Sequence, residues 1–118
     1  MSNAALLPPP AETASVSVIR LSGELGASEM ESLSRALTSL LAENRRRIVV
    51  NFRNVRHVSL GGIARLAERN IRFRALGGEV KLSGVTPYVA NLFNLVGAYT
   101  SFDISPTEEE AVKRFESL

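Results

Sequence analysis

Cysteine is absent from the 118 residues. That excludes disulfides, thiolate nucleophiles and zinc held by sulfur, and it leaves the redox compartment open. Tryptophan is also absent and aromatic residues make up only 6%, so little is available for a base-stacking platform. His57 is the only histidine and Asp103 the only aspartate. Hydrolytic and facial metal triads need histidines, and magnesium or calcium sites need several short carboxylates. The expectation is a protein that is not an enzyme, with no catalytic residues, no metal ligands and no cofactor. No apolar run approaches the ~20 residues that span a bilayer. The start, Met1-Ser2-Asn3-Ala4, lacks the basic region and apolar stretch of a secretory signal, so a cytoplasmic location is expected. Ser2-Asn3-Ala4 has the composition of an expression-tag scar and stays outside the fold argument.

What is present is ordinary for a globular domain: 45% hydrophobic and 22% charged residues, in a length that suits one domain. The formal net charge of +2 conceals segregation. Residues 1–43 carry two arginines and five glutamates, residues 44–74 carry nine arginines against Glu68, and residues 75–118 carry three basic and six acidic groups. A basic band flanked by acidic ends is either a solvated face of an arginine-preferring chain or a surface that faces a partner.

Periodicity gives the elements. Leu6 to Pro10 is a poor strand because its three prolines remove donors, so residues 1–12 read as a flexible or edge segment before a domain over 13–118. Alternation from Ser15 to Leu21 predicts a strand, with Gly23 as the turn after it. Ser28-Glu29-Met30-Glu31 reads as a capping box opening a helix to about residue 43, on Met30, Leu33, Leu37, Leu40 and Leu41. Ile48 to Phe52 is a short β-branched run of the kind buried in a parallel sheet, and Val55 to Val58 reads as a loop or bulge.

Ile63, Leu66, Ala67 and Ala75, with Asn70 or Ile71 between, predict a second helix ending at Gly77-Gly78. Val80, Leu82 and Val85 predict a strand. Thr86-Pro87 caps a third helix that stops at Gly97. Phe102 to Ser105 is a last short strand, and Thr107 with Glu110 caps a terminal helix on Ala111, Val112 and Phe115. The order β-α-β-α-β-α-β-α implies an α/β domain with an open, mostly parallel sheet and crossover helices.

In such sheets, partners meet the loops at the carboxyl ends of strands. The loop here is Val55 to Ile63. Ser59 is placed to cap the second helix, and Gly61-Gly62 bares backbone N–H groups at its positive end. Arg65, Arg69 and Arg72 recur at i, i+4 and i+7, predicting one exposed stripe that Glu68 offsets only in part. His57 reads as a hydrogen-bonding residue at the sheet end, Tyr88 and Tyr99 as packed residues at helix ends, and Phe52 and Phe73 as core.

Leu21-Ser-Gly-Glu-Leu25, Ile48-Val-Val-Asn-Phe52, Val58-Ser-Leu-Gly-Gly-Ile63, Gly77-Gly-Glu-Val-Lys-Leu82 and Val85-Thr-Pro87, with Leu92-Phe93 and Val96-Gly97, follow one another in an order that resembles a STAS domain. Such domains form bacterial anti-sigma factor antagonists and the cytoplasmic tails of sulfate transporters. The resemblance spans about residues 15–115. It implies a partner-switching module in which a kinase-like anti-sigma factor phosphorylates a serine in an Asp-Ser-Ser/Ala-Gly-Leu segment, and the added charge and bulk break the complex. By position, Ser59 falls on the family's Asp and Leu60 on its phosphorylated serine. Gly61 falls on the next small residue, and Gly62 and Ile63 match. Asn51 stands where many members have Asp, and Gly26 where others have Asp after Gly-Glu-Leu.

Leu60 has no group to accept a phosphate, and Ser59, one position early, is the sole phosphosite candidate in the loop. The resemblance therefore implies a regulator acting by contact. Its partner-binding residues are Ser59, Leu60, Gly61, Gly62, Arg65, Arg69 and Arg72, and its expected partner is an anti-sigma factor or another kinase-like ATPase regulator. The alternative is an accessory subunit of a membrane lipid or solute transport system, with the arginine band on a transporter or on lipid headgroups. Nucleic acid is not expected, because no nucleic-acid module is visible. Oligomeric state stays open.

Overall fold

The computed structural model describes residues 11–13 and 15–116. Five strands form one sheet in the order of the chain: β1 (Ala11–Thr13), β2 (Val16–Leu25), β3 (Arg47–Val58), β4 (Glu79–Ser83) and β5 (Ile104–Ser105). β1 pairs antiparallel with β2 at the sheet edge, and every other pairing is parallel. Four helices complete the alternation: α1 (Ala27–Ala42), α2 (Leu60–Ala75), α3 (Pro87–Leu95) and α4 (Glu108–Glu116). The fold is thus the α/β architecture that the periodicity implies, and the proline segment ahead of β1 lies outside the described residues.

Strand alternation sends side chains to two unequal faces. Ile19, Leu21, Ile48, Val50, Phe52, Val80 and Leu82 point to one face and pack with α1, α2 and α3 in the main core. Phe93 stands edge-on to both Phe52 and Phe102, each with ring centroids 5.8 Å apart. On the other face Val16, Val18 and Val49 form a separate buried cluster with Ala111, Val112 and Phe115 of α4.

β3 is longer than its apolar run because of an irregular register. Between Arg20 and Ser22 of β2, and again between Gly23 and Glu24, the pairing shifts so that β3 carries an extra residue. Phe52, Val55 and Val58 therefore stay buried at a spacing of three, which plain alternation does not permit. Val55 to Val58 is strand, not loop, and Gly23, at φ +84°, lies inside β2 at one of these shifts instead of ending it.

The start of α1 also differs from its sequence reading. Gly26 is the cap, and its N–H donates to Glu29 Oε1 at 3.0 Å; Ser28 lies inside the first turn, and Glu31 faces Arg35 at 3.6 Å. The other caps fall where the residue types place them. Gly62 N–H donates to Ser59 Oγ at 3.1 Å, Val89 N–H to Thr86 Oγ1 at 3.3 Å, and Glu110 N–H to Thr107 Oγ1 at 3.2 Å.

Candidate functional site

β3 delivers the chain to the carboxyl end of the sheet, where Ser59 N–H donates to the Leu25 carbonyl at 2.9 Å and turns it into α2. The Ser59 hydroxyl is occupied as the cap of that helix. Leu60 follows as the first helical residue, 43% exposed although large and apolar.

The two glycines after it are not equivalent. A Cβ on Gly62 would collide with Met30 of α1 and with Ser59 Oγ, so packing demands glycine there. A Cβ on Gly61 would meet nothing within 4 Å, and its backbone is not left-handed. The fold itself does not require glycine at 61.

The remaining predicted residues divide by flank. At about 100° per residue, Leu60 lies roughly 120–180° around the axis from Arg65, Arg69 and Arg72. The arginines line the flank towards α1. Leu60 and Ile71, the latter 68% exposed, share the opposite flank. A partner that touches both must straddle the helix.

Nor are the three arginines one uniformly exposed stripe. Arg65 and Arg72 are exposed, but Arg69 is half-buried, and its Nε donates to Ser34 Oγ of α1 at 3.2 Å. Burial also corrects the helix stripe, which runs through Ile63, Leu66, Asn70 and Phe73, leaving Ile71 and Ala75 in solvent. Asn70 is buried because its amide works: Oδ1 accepts from Val80 N–H at 2.9 Å and Nδ2 donates to the Ser101 carbonyl at 3.1 Å. Arg74, by contrast, pairs with Glu79 at 3.2 Å. No ion pair joins Glu68 to Arg65 or Arg72 among the described residues.

His57 is the hydrogen-bonding residue that its place at the sheet end suggests: its Nδ1 shares a hydrogen bond of 2.9 Å with the hydroxyl of Tyr88. Three features escaped the sequence reading. Tyr88 is 52% exposed instead of packed. Tyr99 is likewise 38% exposed. Between α1 and α2 runs a groove of roughly 410 Å³ bounded by Thr38, Leu41, Arg69, Arg72, Phe73 and Leu76. Its signal in the sequence was Ser34, a polar residue in the apolar stripe of α1.

A second and larger cleft, of roughly 890 Å³ at the carboxyl ends of the strands, has charged lining residues that pair with one another. Arg20 Nε and Nη2 both donate to the Glu108 carboxylate at 2.9 Å, and Asn51 Nδ2 donates to Glu108 Oε1 at 2.9 Å. The Arg20 hydrogen bond holds the Glu108 carboxyl below its ordinary value, against the opposing effect of burial. Among the described residues no three His, Asp or Glu side chains gather as metal ligands, and no helix is long and apolar enough to cross a membrane.

Comparisons with known proteins agree on the fold. Anti-sigma factor antagonist SpoIIAA in its unphosphorylated form superposes with a TM-score of 0.81 at 24% identity, covering 95% of this chain and 97% of that one. A putative anti-sigma factor antagonist from Thermotoga maritima gives 0.84 at 14% identity, with 97% of each chain covered. Murine Solute Carrier 26 family member A9, an anion transporter, gives 0.73 at 18% identity; 92% of this chain matches only 19% of the transporter. The STAS domain family model matches residues 8–111. The chain belongs to the STAS domain family.

Proposed function

We propose that this STAS domain is a non-catalytic recognition module, an anti-sigma factor antagonist-like regulator that binds its partner through the start of α2 without a phosphoacceptor serine there. The observation that carries the reading is the pair Leu60-Gly61. A large apolar side chain stands in solvent beside a helical glycine with open space where its Cβ would be. Glycine in a helix costs about 0.5–1 kcal/mol relative to alanine, and here no contact among the described residues recovers that cost. An exposed leucine next to bare backbone suits a partner surface that packs close. The Ser59 hydroxyl caps the helix, so modifying it would break the cap as well as add charge.

The partner on this reading is a kinase-like ATPase regulator, met by Leu60 and Gly61 and steered by the exposed guanidinium groups of Arg65 and Arg72. The test is capture by the immobilised chain, with bound proteins identified by mass spectrometry. The wild type is expected to retain a histidine-kinase-like ATPase, and Leu60→Asp to lose it at unchanged thermal stability. The intact mass of the chain is expected to stay constant after incubation with that ATPase and ATP. Stoichiometric phosphorylation at Ser59, or specific capture of a transporter subunit in place of the ATPase, defeats the reading.

A further inference from the structure

The groove between α1 and α2 has a floor and a rim of opposite character. Phe73 is fully buried beneath it, Leu41 is half-buried, and Leu76 is 45% exposed at one end. Arg69 and Arg72, one helical turn apart, form the charged rim. Neither has an acidic partner among the described residues. Arg69 is also pre-oriented. Its Nε is spent on Ser34 Oγ, a buried hydroxyl, which fixes the plane of the guanidinium and leaves its terminal nitrogens without an acceptor among the described residues. A guanidinium pinned at one edge presents the fork that binds a carboxylate through two parallel hydrogen bonds, with less rotamer entropy lost on binding.

We infer that this groove is a docking site for an acidic amphipathic helix of a protein partner, with carboxylates on Arg69 and Arg72 and an apolar side chain seated between Leu41 and Leu76 above the buried Phe73 ring. Charge complementarity selects the acid. The spacing selects the helix, because two guanidinium groups one turn apart match acidic residues at i and i+3 or i+4 of a facing helix. Concavity selects a side chain over a bilayer, whose surface meets projecting groups and does not fill a slot between helices. The inference rests on the reading of the chain as a recognition module, but not on Leu60 as the contact, since the groove lies on the other flank of α2.

The experiment is a selection of phage-displayed random dodecapeptides on the folded chain, with counter-selection on Arg69→Gln/Arg72→Gln. Enriched peptides are expected to carry Asp or Glu three or four residues apart around Leu, Ile or Phe. Backbone amide NMR shifts on titration are expected at Ser34, Thr38, Phe73 and Leu76. Affinity is expected to fall about tenfold in the double variant, and further with added salt. Two single variants guard against loss of fold. Arg72→Gln alters an exposed side chain only, and Ser34→Ala keeps both charges while freeing Arg69, so each is expected to weaken binding at unchanged melting temperature.

No enrichment over the double variant, enriched sequences without the acid–apolar spacing, or a footprint at Leu60 overturns the inference. So does arginine-dependent sedimentation with phosphatidylglycerol vesicles in the absence of peptide binding, which assigns the groove to lipid. If Leu60→Asp abolishes partner capture while Arg69→Gln/Arg72→Gln retains it, the groove is refuted and the recognition reading stands.

Discussion

The two faces of the sheet are held by different physics. Three helices cover one face with a continuous apolar core that includes the Phe52, Phe93 and Phe102 rings. A single nine-residue helix, α4, covers the other. Its apolar cluster is small, and polar contacts support it at both ends. Glu108 is held by Arg20 and Asn51 at one end. At the other, Asp103 accepts from Arg114 Nε at 2.7 Å and Lys81 Nζ at 2.9 Å, and the Lys81 ammonium lies 4.6 Å from the Phe115 ring centre. Burial scales with apolar area, whereas partly exposed ion pairs each contribute little. The three-helix face therefore carries the global stability, and the α4 face is the part able to open alone.

Deletion of a core ring tests the first half. Phe93→Ala is expected to cost about 3–5 kcal/mol, because it removes two edge-to-face contacts and leaves a cavity in a fully buried site. Urea denaturation would register that loss as one cooperative transition moved to a lower midpoint. Phe115→Ala is expected to cost less, about 2 kcal/mol, because this ring belongs to a small cluster and sits at the end of α4, where the chain can close up around the loss. Hydrogen exchange should then show Ala111 to Phe115 exposed while α1 to α3 keep their protection. Equal costs for the two substitutions, or global unprotection in the second, would erase the contrast between the faces.

Acid sharpens the same comparison. Asp103 and Glu108 both titrate below their ordinary values of 3.8 and 4.5, Asp103 through its hydrogen bond from Arg114 and then Lys81, Glu108 through Arg20 and then Asn51, in each case against burial. With folded values depressed, the unfolded chain binds more protons as pH drops. The stabilisation is full above the ordinary values and is lost as pH falls through the lower, folded ones. Helix α4 is thus expected to loosen below about pH 4 before the three-helix core does. Glu108→Gln is expected to remove about 1 kcal/mol at neutral pH and to flatten the acid limb. An acid transition in which all helices lose protection together contradicts this order.

The sequence revealed the elements wherever local chemistry acts alone. Ser59, Thr86 and Thr107 cap α2, α3 and α4 because each brings its own hydroxyl to an adjacent N–H. It misled where a neighbour decides. Val55 and Val58 break alternation, and only the register shifts against β2 show them to be strand. Ser28 has the residue type of a cap, but Glu29 reaches Gly26 instead. The arginine spacing was visible, yet Ser34, whose hydroxyl anchors Arg69 at the groove rim, is 35 residues away in the chain. Helical periodicity placed the arginines on one flank. It also places Leu60 opposite them, a consequence obscured by the loop reading of the segment before it.

The smallest expected effect refines the comparison within the three-helix face, at the start of α2, where two adjacent glycines differ in what the fold asks of them. Gly61→Ala adds a methyl group in open space on helical backbone, so the folded chain is expected to gain about 0.5–1 kcal/mol. Gly62→Ala, one residue on, drives the same methyl group into Met30 and Ser59 Oγ and is expected to destabilise by about 1–3 kcal/mol. Thermal melting of the pair gives opposite signs if the assignment holds. The decisive measurement is partner capture by Gly61→Ala. A more stable domain that binds less well means that glycine at 61 is kept for a surface outside the chain, whereas a stabilised domain with unchanged capture leaves position 61 without a role in contact.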